Sequence, residues 1–173
     1  MAQKTMRSFA LAALVASSAA LGSAGTALAQ APAASPPPPM PYGPPITLEM
    51  AKKAAAAAEA EAKKVSYAPD AIAIVDPGGA LVYFERMDNA SYGPVEVAMD
   101  KARSAALFRR PTKAWEEFLT KGRTAILGLR GAVPLEGGVP LVSQGKIVGA
   151  IGASGGTGAQ DAQVAAAGAA AVK

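Results

Sequence analysis

The sequence predicts an α+β domain in which helices cover both faces of an antiparallel sheet. Its predicted elements follow the order helix, hairpin, helix, helix, hairpin, helix, and paired hairpins form antiparallel sheets. The strand segments are nearly continuous apolar runs. A strand alternates apolar and polar residues when one face of its sheet meets water. Uninterrupted apolar runs therefore indicate that both faces of the sheet are covered.

A cap, an alanine run and a tight turn predict the first helix and the first hairpin. Thr47 is a suitable N-cap, and the alanine-rich run through Lys64 is strongly helix-forming and ends in lysines. Residues 71–76 and 81–86 are rich in strand-forming side chains. Pro77-Gly78-Gly79 between them predicts a hairpin turn.

Two helices are predicted in the middle of the chain. Residues 94–108 repeat apolar side chains at helical spacing and leave their charged residues on other faces. Residues 111–121 form a shorter helix that opens with proline, which suits the first helical position. Trp115, Phe118 and Leu119 fall three and four apart, on one side of this helix.

A second hairpin and a last helix complete the domain. Residues 139–143 and 146–151 are two strands around a Gln-Gly turn. The last helix starts near Thr157, which makes a capping-box pair with Gln160, and it runs to Val172.

The residue types that are missing exclude several kinds of chemistry. The chain has no cysteine and no histidine, which excludes disulfides, Cys-based zinc sites, Ser-His-Asp catalysis and a proximal-His haem. Alanine supplies 43 residues, and only nine side chains (one Trp, four Tyr, four Phe) are aromatic. Because alanine buries little area, the domain must rely on close backbone packing, helix propensity or burial against copies of itself.

The first 29 residues are predicted to be a signal peptide. Lys4 and Arg7 precede an apolar stretch from Phe9 to Leu21, and Ala27-Leu28-Ala29 matches the small-x-small cleavage pattern. Polar residues and glycines interrupt the stretch before about 20 strongly apolar residues accumulate, which disfavours a transmembrane anchor. The expectation is a periplasmic or secreted protein that keeps no membrane span after cleavage.

Residues 30–45 are predicted to be a Pro-rich linker, and residues 46–173 a single domain. Eight of the 16 linker residues are proline, a composition typical of an extended spacer. Without Lys4 and Arg7, the 17 basic residues fall to 15, against 13 Asp and Glu. This balance, with no run of basic residues, disfavours nucleic-acid binding.

Several segments of the domain occur together in one known family. They are residues 74–79, 86–90, 101–105, 109–112, 136–141 (EGGVPL), 149–156 (GAIGASGG) and 160–161. In this order and spacing they resemble the GlcG/HbpS family of haem-binding or haem-degrading-like proteins, which also includes the C-terminal domain of the cobalamin adenosyltransferase PduO.

The resemblance implies a profilin-like layered fold, with a five-stranded antiparallel sheet flanked by helices on both faces. It also implies haem binding and assembly into homo-oligomers, often octamers. Many relatives carry a histidine where this chain has Glu85. Since no histidine is present, the candidate axial ligands of a haem iron are Tyr83, Met87, Tyr92 or water. Each of the three side chains is also an ordinary packing residue.

Polar candidates for ligand contact lie at strand ends and on a helix. Arg86 and Asp88 bracket the end of a predicted strand, where a surface ion pair is the structural alternative. Lys101 and Arg103 offer cations to haem propionates or to the carboxylate of a small acid, although a solvated helix face also explains them. Glu136, in a loop before a strand, is the strongest single carboxylate candidate for a ligand or metal contact.

The turn Ser154-Gly155-Gly156 joins a strand to a helix, a place where backbone N–H groups favour an anion. A tight turn alone explains its glycines equally well. Glu85, Asp88 and Glu136 would make a weak carboxylate metal site if they converge in space.

Three functions from different classes fit these observations. The leading hypothesis is an exported, oligomeric protein that binds haem or a small ligand in a pocket formed by the second hairpin, the Ser154-Gly155-Gly156 turn and the helix that carries Lys101. One alternative is an enzyme acting on a small 2-hydroxy or 2-oxo acid, although no catalytic constellation is recognisable. The other is a ligand-free self-assembling module.

Overall fold

A computed structural model of the protein describes residues 38–65 and 71–173. The predicted signal peptide and residues 30–37 of the predicted linker lie outside the described residues. Within the described residues, no helix combines the length and the apolar character that a bilayer span requires.

The order of elements predicted from the sequence is confirmed. A 3₁₀ helix between α3 and β3 was not predicted, and the last helix ends two residues earlier than expected. The elements are α1 (Leu48–Val65), β1 (Ala71–Val75), β2 (Leu81–Arg86), α2 (Gly93–Phe108), α3 (Lys113–Thr120), the 3₁₀ helix (Thr124–Gly128), β3 (Gly138–Ser143), β4 (Lys146–Ser154) and α4 (Gly158–Ala170).

The described residues form a four-stranded antiparallel sheet in the order β2-β1-β4-β3, so the expectation of five strands is wrong. Where β1 ends, the segment before α1 lies beside β4 and makes one parallel bridge, between Tyr42 and Ile147. Pro41, Pro44 and Pro45 flank that bridge. Proline has no N–H to donate, so this segment cannot extend a hydrogen-bonded ladder into a fifth strand.

Helices cover both faces of the sheet, as the apolar strands predicted. Ile72 and Ile74 belong to a core cluster with alanines of α1 and residues of α4. On the opposite face, Ala73 and Val75 pack against the alanines of α2. The alanine-rich composition therefore serves close packing of helices onto a sheet, in which small side chains let the backbones approach.

The segment before α1 also contacts the end of α2. The hydroxyl of Tyr42 donates hydrogen bonds to the carbonyl oxygens of Ala106, at 2.9 Å, and Leu107, at 3.1 Å. The guanidinium of Arg109 lies 5.1 Å from the centre of the Tyr42 ring. Packing of the domain thus begins several residues before Ile46, within the segment predicted to be a linker.

Candidate functional site

A polar cleft lies where α2, the end of β4, the start of α4 and the loop before β3 meet. Its volume is about 290 Å³. We call it the Lys101 cleft. It is lined by Val97, Lys101, Glu116, Leu135, Glu136, Ser154, Gly156, Gly158 and Asp161.

A buried ion pair forms one wall of the cleft. The Nζ of Lys101 lies 2.6 Å from Oδ2 of Asp161, and the two side chains are 3% and 4% exposed. Lys101 also donates to the carbonyl oxygen of Ala153 at 3.1 Å, while Oδ1 of Asp161 accepts from the backbone N–H of Gly156 at 2.9 Å. These bonds tie α2, β4 and α4 together and compensate the desolvation that a buried pair suffers.

The double glycine after Glu136 is explained by its closeness to this pair. A side chain on Gly137 would place a Cβ 2.7 Å from the Cβ of Asp161 and 2.9 Å from the Nζ of Lys101. Gly137 also has a φ of 123°, which L side chains rarely adopt. The loop therefore lies directly on the ion pair, and this position brings Glu136 to the rim of the cleft.

The opposite rim comes from the start of α3. Glu136 accepts a hydrogen bond from the ammonium of Lys113 at 2.7 Å, and this bond raises the pKa of Lys113 above its ordinary value. The backbone N–H of Glu136 donates to Oε2 of Glu116 at 2.9 Å. Two carboxylates and one exposed ammonium thus stand together at the mouth of the cleft.

The turn before α4 uses its N–H groups within the chain. Thr157 and Gln160 form the predicted capping box, and the N–H of Gly156 donates to Asp161. The helix start is thereby satisfied by its own cap and by a carboxylate. This arrangement leaves little of the anion-binding capacity that the sequence suggested for Ser154-Gly155-Gly156.

Comparison with known proteins identifies the family. A family model described as "Haem degrading protein HbpS-like" matches residues 46–170. The chain belongs to the HbpS-like family. The resemblance inferred from the sequence motifs is therefore confirmed.

Individual proteins show how far the similarity extends. Protein GlcG of Escherichia coli K12 is 46% identical over 106 residues, which cover 61% of this chain and 78% of GlcG. The crystal structure of a double mutant of Streptomyces reticuli HbpS is 33% identical, with a TM-score of 0.68 over 84% of this chain and 99% of that chain. The crystal structure of a PduOC–haem complex is 26% identical, with a TM-score of 0.68 over 75% of this chain and 96% of that chain.

The cleft brings together some of the residues predicted from the sequence. Lys101, Glu136, Ser154 and Gly156 line it, whereas Gly155 lies in the same turn but not in the lining. Lys101, Ser154 and Gly156 come from two of the three elements predicted to form the pocket, the helix and the turn. The third, the hairpin predicted at residues 139–143 and 146–151, contributes no residue to the lining, and Glu136 lies in the loop before it. Their role in binding stays a prediction.

Three other predicted contact residues lie away from the cleft lining. Arg86 is exposed, with its guanidinium 5.0 Å from the centre of the Tyr92 ring. Asp88 is exposed as well. Arg103 lies 3.3 Å from Asp100, one turn earlier in α2, which matches the solvated-face alternative.

The predicted haem ligands are found around β2. Tyr83 is half-buried beside the core that α1 and α4 form, and its hydroxyl donates a hydrogen bond to Glu85 at 3.3 Å. Burial raises the pKa of the Tyr83 phenol, and the negative charge of Glu85 raises it further. Met87 packs partly buried against the same core. Tyr92 is 82% exposed. None of the three lines the Lys101 cleft.

The predicted metal site does not assemble. Among the residues that the structure describes, no three Asp, Glu, His or Cys side chains come together in a way that would hold a metal ion. Glu136 instead pairs with Lys113, and Glu85 accepts from Tyr83. Glu85, Asp88 and Glu136 therefore carry no metal proposal.

Sequence reasoning missed the partner of Lys101. The sequence motifs include Asp161 only as part of the family pattern, although an acid in the first turn of a helix that follows a capping box is a recognisable position. A second signal was available on α2, since Lys101 stands four residues after Val97 and four before Ala105, on the apolar stripe. A lone lysine on a buried stripe requires a buried acid. No comparable pattern in the sequence indicates that Glu116 and Lys113 belong to the cleft.

Proposed function

We propose that this chain is an exported ligand-binding protein of the HbpS-like family, with the Lys101 cleft as the site for a small polar ligand. The observation that carries the proposal is the Lys101–Asp161 pair, almost fully buried yet lining an open cleft. Replacing such a pair by apolar side chains often stabilises a fold, so its presence beside a cleft favours a functional role. Export is tested by sequencing the N-terminus of the protein recovered outside the cytoplasm, where Gln30 is the expected first residue.

Haem is the second candidate ligand, because relatives are described as haem degrading or are crystallised with haem. The Lys101 cleft suits it poorly, since about 290 Å³ of polar, carboxylate-rich space is small for a porphyrin. The place proposed for haem is instead the end of β2, where two residues predicted to contact it, Arg86 and Tyr92, are exposed side by side. There the exposed phenol of Tyr92 could ligate iron, and Arg86, 5.0 Å from its ring, could pair with a propionate. Haem bound there would supply the redox and oxygen chemistry of its iron.

Titration with haemin tests this second candidate. We expect a Soret shift that saturates, and its loss in Tyr92→Phe, which keeps the ring but removes the oxygen. Tyr83→Phe is the matched control, because Tyr83 is half-buried and bonded to Glu85, and we expect it to keep the Soret shift. Absence of any Soret shift in the unaltered protein, or an unchanged shift in Tyr92→Phe, would contradict haem ligation by Tyr92.

We also propose that the protein is a homo-oligomer that assembles through the face formed by α3 and the 3₁₀ helix. The pattern of α3 is amphipathic, yet Trp115 is its one buried residue. Leu127 and Leu129 nearby are 67% and 42% exposed. Two exposed leucines so close together in the chain, beside an amphipathic helix, are typical of an interaction surface.

Sedimentation at micromolar concentration tests the assembly. The unaltered protein is expected to sediment as an oligomer and Leu127→Asp as a smaller species, because the substitution places a charge in an apolar interface. Leu48→Asp is the control, since Leu48 is 51% exposed at the start of α1, and it should leave the mass unchanged. A monomer in the unaltered protein would refute the proposal.

A further inference from the structure

Ser154 carries a polar group that the protein leaves without a partner. It is the last residue of β4, is 7% exposed, and lines the Lys101 cleft. Side chains alternate along a strand, so Ser154 shares the α2 face of the sheet with Gly152. Within the part of the chain that the structure describes, its hydroxyl forms no hydrogen bond to a protein group. Its oxygen is not among the fully enclosed atoms without a partner, so it reaches solvent through the cleft. A buried hydroxyl that opens on a cleft is a group that a ligand can satisfy.

The charges around the cleft do not favour an anion. The ammonium of Lys101 forms an ion pair with Asp161, and the ammonium of Lys113 forms one with a single oxygen of Glu136. Glu116 accepts a backbone N–H, and no ammonium lies within ion-pair distance of it among the described residues. Three carboxylates thus face two lysines, which leaves the mouth of the cleft with one excess negative charge and with free acceptor oxygens.

We infer that the Lys101 cleft takes a small amino alcohol rather than a hydroxy acid, an inference that rests on the proposed role of the cleft as a ligand site. The ammonium of such a ligand meets the carboxylates of Glu116 and Glu136, and its hydroxyl meets Ser154. The short carbon chain lies against Val97 and Leu135, the two apolar side chains of the lining. Charge-assisted hydrogen bonds of this kind are the strong ones.

Three compounds of similar size test the ligand class. 1-Amino-2-propanol, 1,2-propanediol and lactate share a hydroxyl-bearing carbon and a methyl group, and differ in whether the remaining group is cationic, neutral or anionic. Binding is measured by titrating the isotope-labelled protein and following amide shifts. We expect the amino alcohol to bind at least about tenfold more tightly than lactate, with the diol between them.

Matched variants locate the binding. Glu116→Gln keeps an acceptor for the N–H of Glu136 but removes the charge. It is expected to weaken binding of the amino alcohol about tenfold and to change binding of the diol little. Glu117→Gln removes the next carboxylate of α3, which is exposed and outside the lining, and it should change neither. Ser154→Ala should weaken the amino alcohol and the diol alike.

The outcomes separate this inference from the function on which it rests. Tighter binding of lactate at the cleft amides would overturn the amino-alcohol class and leave the cleft as a ligand site. Amino-alcohol binding that is indifferent to Glu116→Gln would also overturn it. If none of the three compounds shifts the cleft amides, the amino-alcohol inference is overturned, and the small-ligand function is overturned with it only when a wider set of small polar compounds also leaves those amides unchanged.

Discussion

Lys101→Met is expected to lower the free energy of unfolding by about 3–5 kcal/mol. Methionine keeps most of the length of the side chain but leaves the Asp161 carboxylate, 4% exposed, without its ammonium. Lys113→Met is the control, because Lys113 forms an ion pair of 2.7 Å to Glu136 but is 56% exposed. An exposed pair of this kind contributes about 0–1 kcal/mol. Urea denaturation of the three proteins measures the difference.

A double variant shows whether the cost comes from the orphaned charge. Lys101→Met combined with Asp161→Leu removes both charges, and it should be more stable than either single variant, because apolar side chains can replace a buried pair at little cost. If Lys101→Met costs no more than Lys113→Met, or if the double variant is the least stable of the set, the account of the ion pair is wrong. A stable double variant that binds no ligand would show that the pair is retained for function.

Local signals in the sequence were sufficient to predict the order of elements. The turn between β1 and β2 is held by Asp76, whose side chain accepts from the N–H groups of Gly78 and Ala80. The capping box at Thr157 is present as predicted. Such signals act over a few residues, so they can be recognised without knowledge of the tertiary structure.

The features that sequence reasoning missed depend on contacts far apart in the chain. Lys101 and Asp161 are 60 residues apart. No local sequence pattern around either residue identifies the other as its partner. The expectation of a fifth strand was carried over from relatives, whereas the prolines around Tyr42 limit this chain to a single bridge. The metal hypothesis likewise required three carboxylates to converge, a condition that only the tertiary structure can test.

The positions of the site residues depend on how closely α2 approaches the sheet. Lys101 lies in α2, and its ammonium bonds to the end of β4 at Ala153. A glycine of β4, Gly152, faces α2, where a Cβ would collide with the carbonyl oxygen of Ala98 and lie 2.7 Å from the backbone N of Ala102. These are backbone atoms, which cannot rotate aside as a side chain can, so any added volume must displace the helix itself.

Gly152→Ala is therefore expected to lower the free energy of unfolding by about 3 kcal/mol or more, at or beyond the upper end of the usual cost of overpacking. Gly93→Ala is the control, because a Cβ at Gly93 meets no atom within 4 Å, and it should change stability by no more than about 1 kcal/mol. Thermal or urea unfolding measures both. The displaced helix would carry Lys101 away from Ala153 and Asp161. Gly152→Ala should therefore also weaken ligand binding at the cleft, measured at a temperature where the variant is still folded. A variant as stable as Gly93→Ala would show that α2 does not pack on β4 as closely as described.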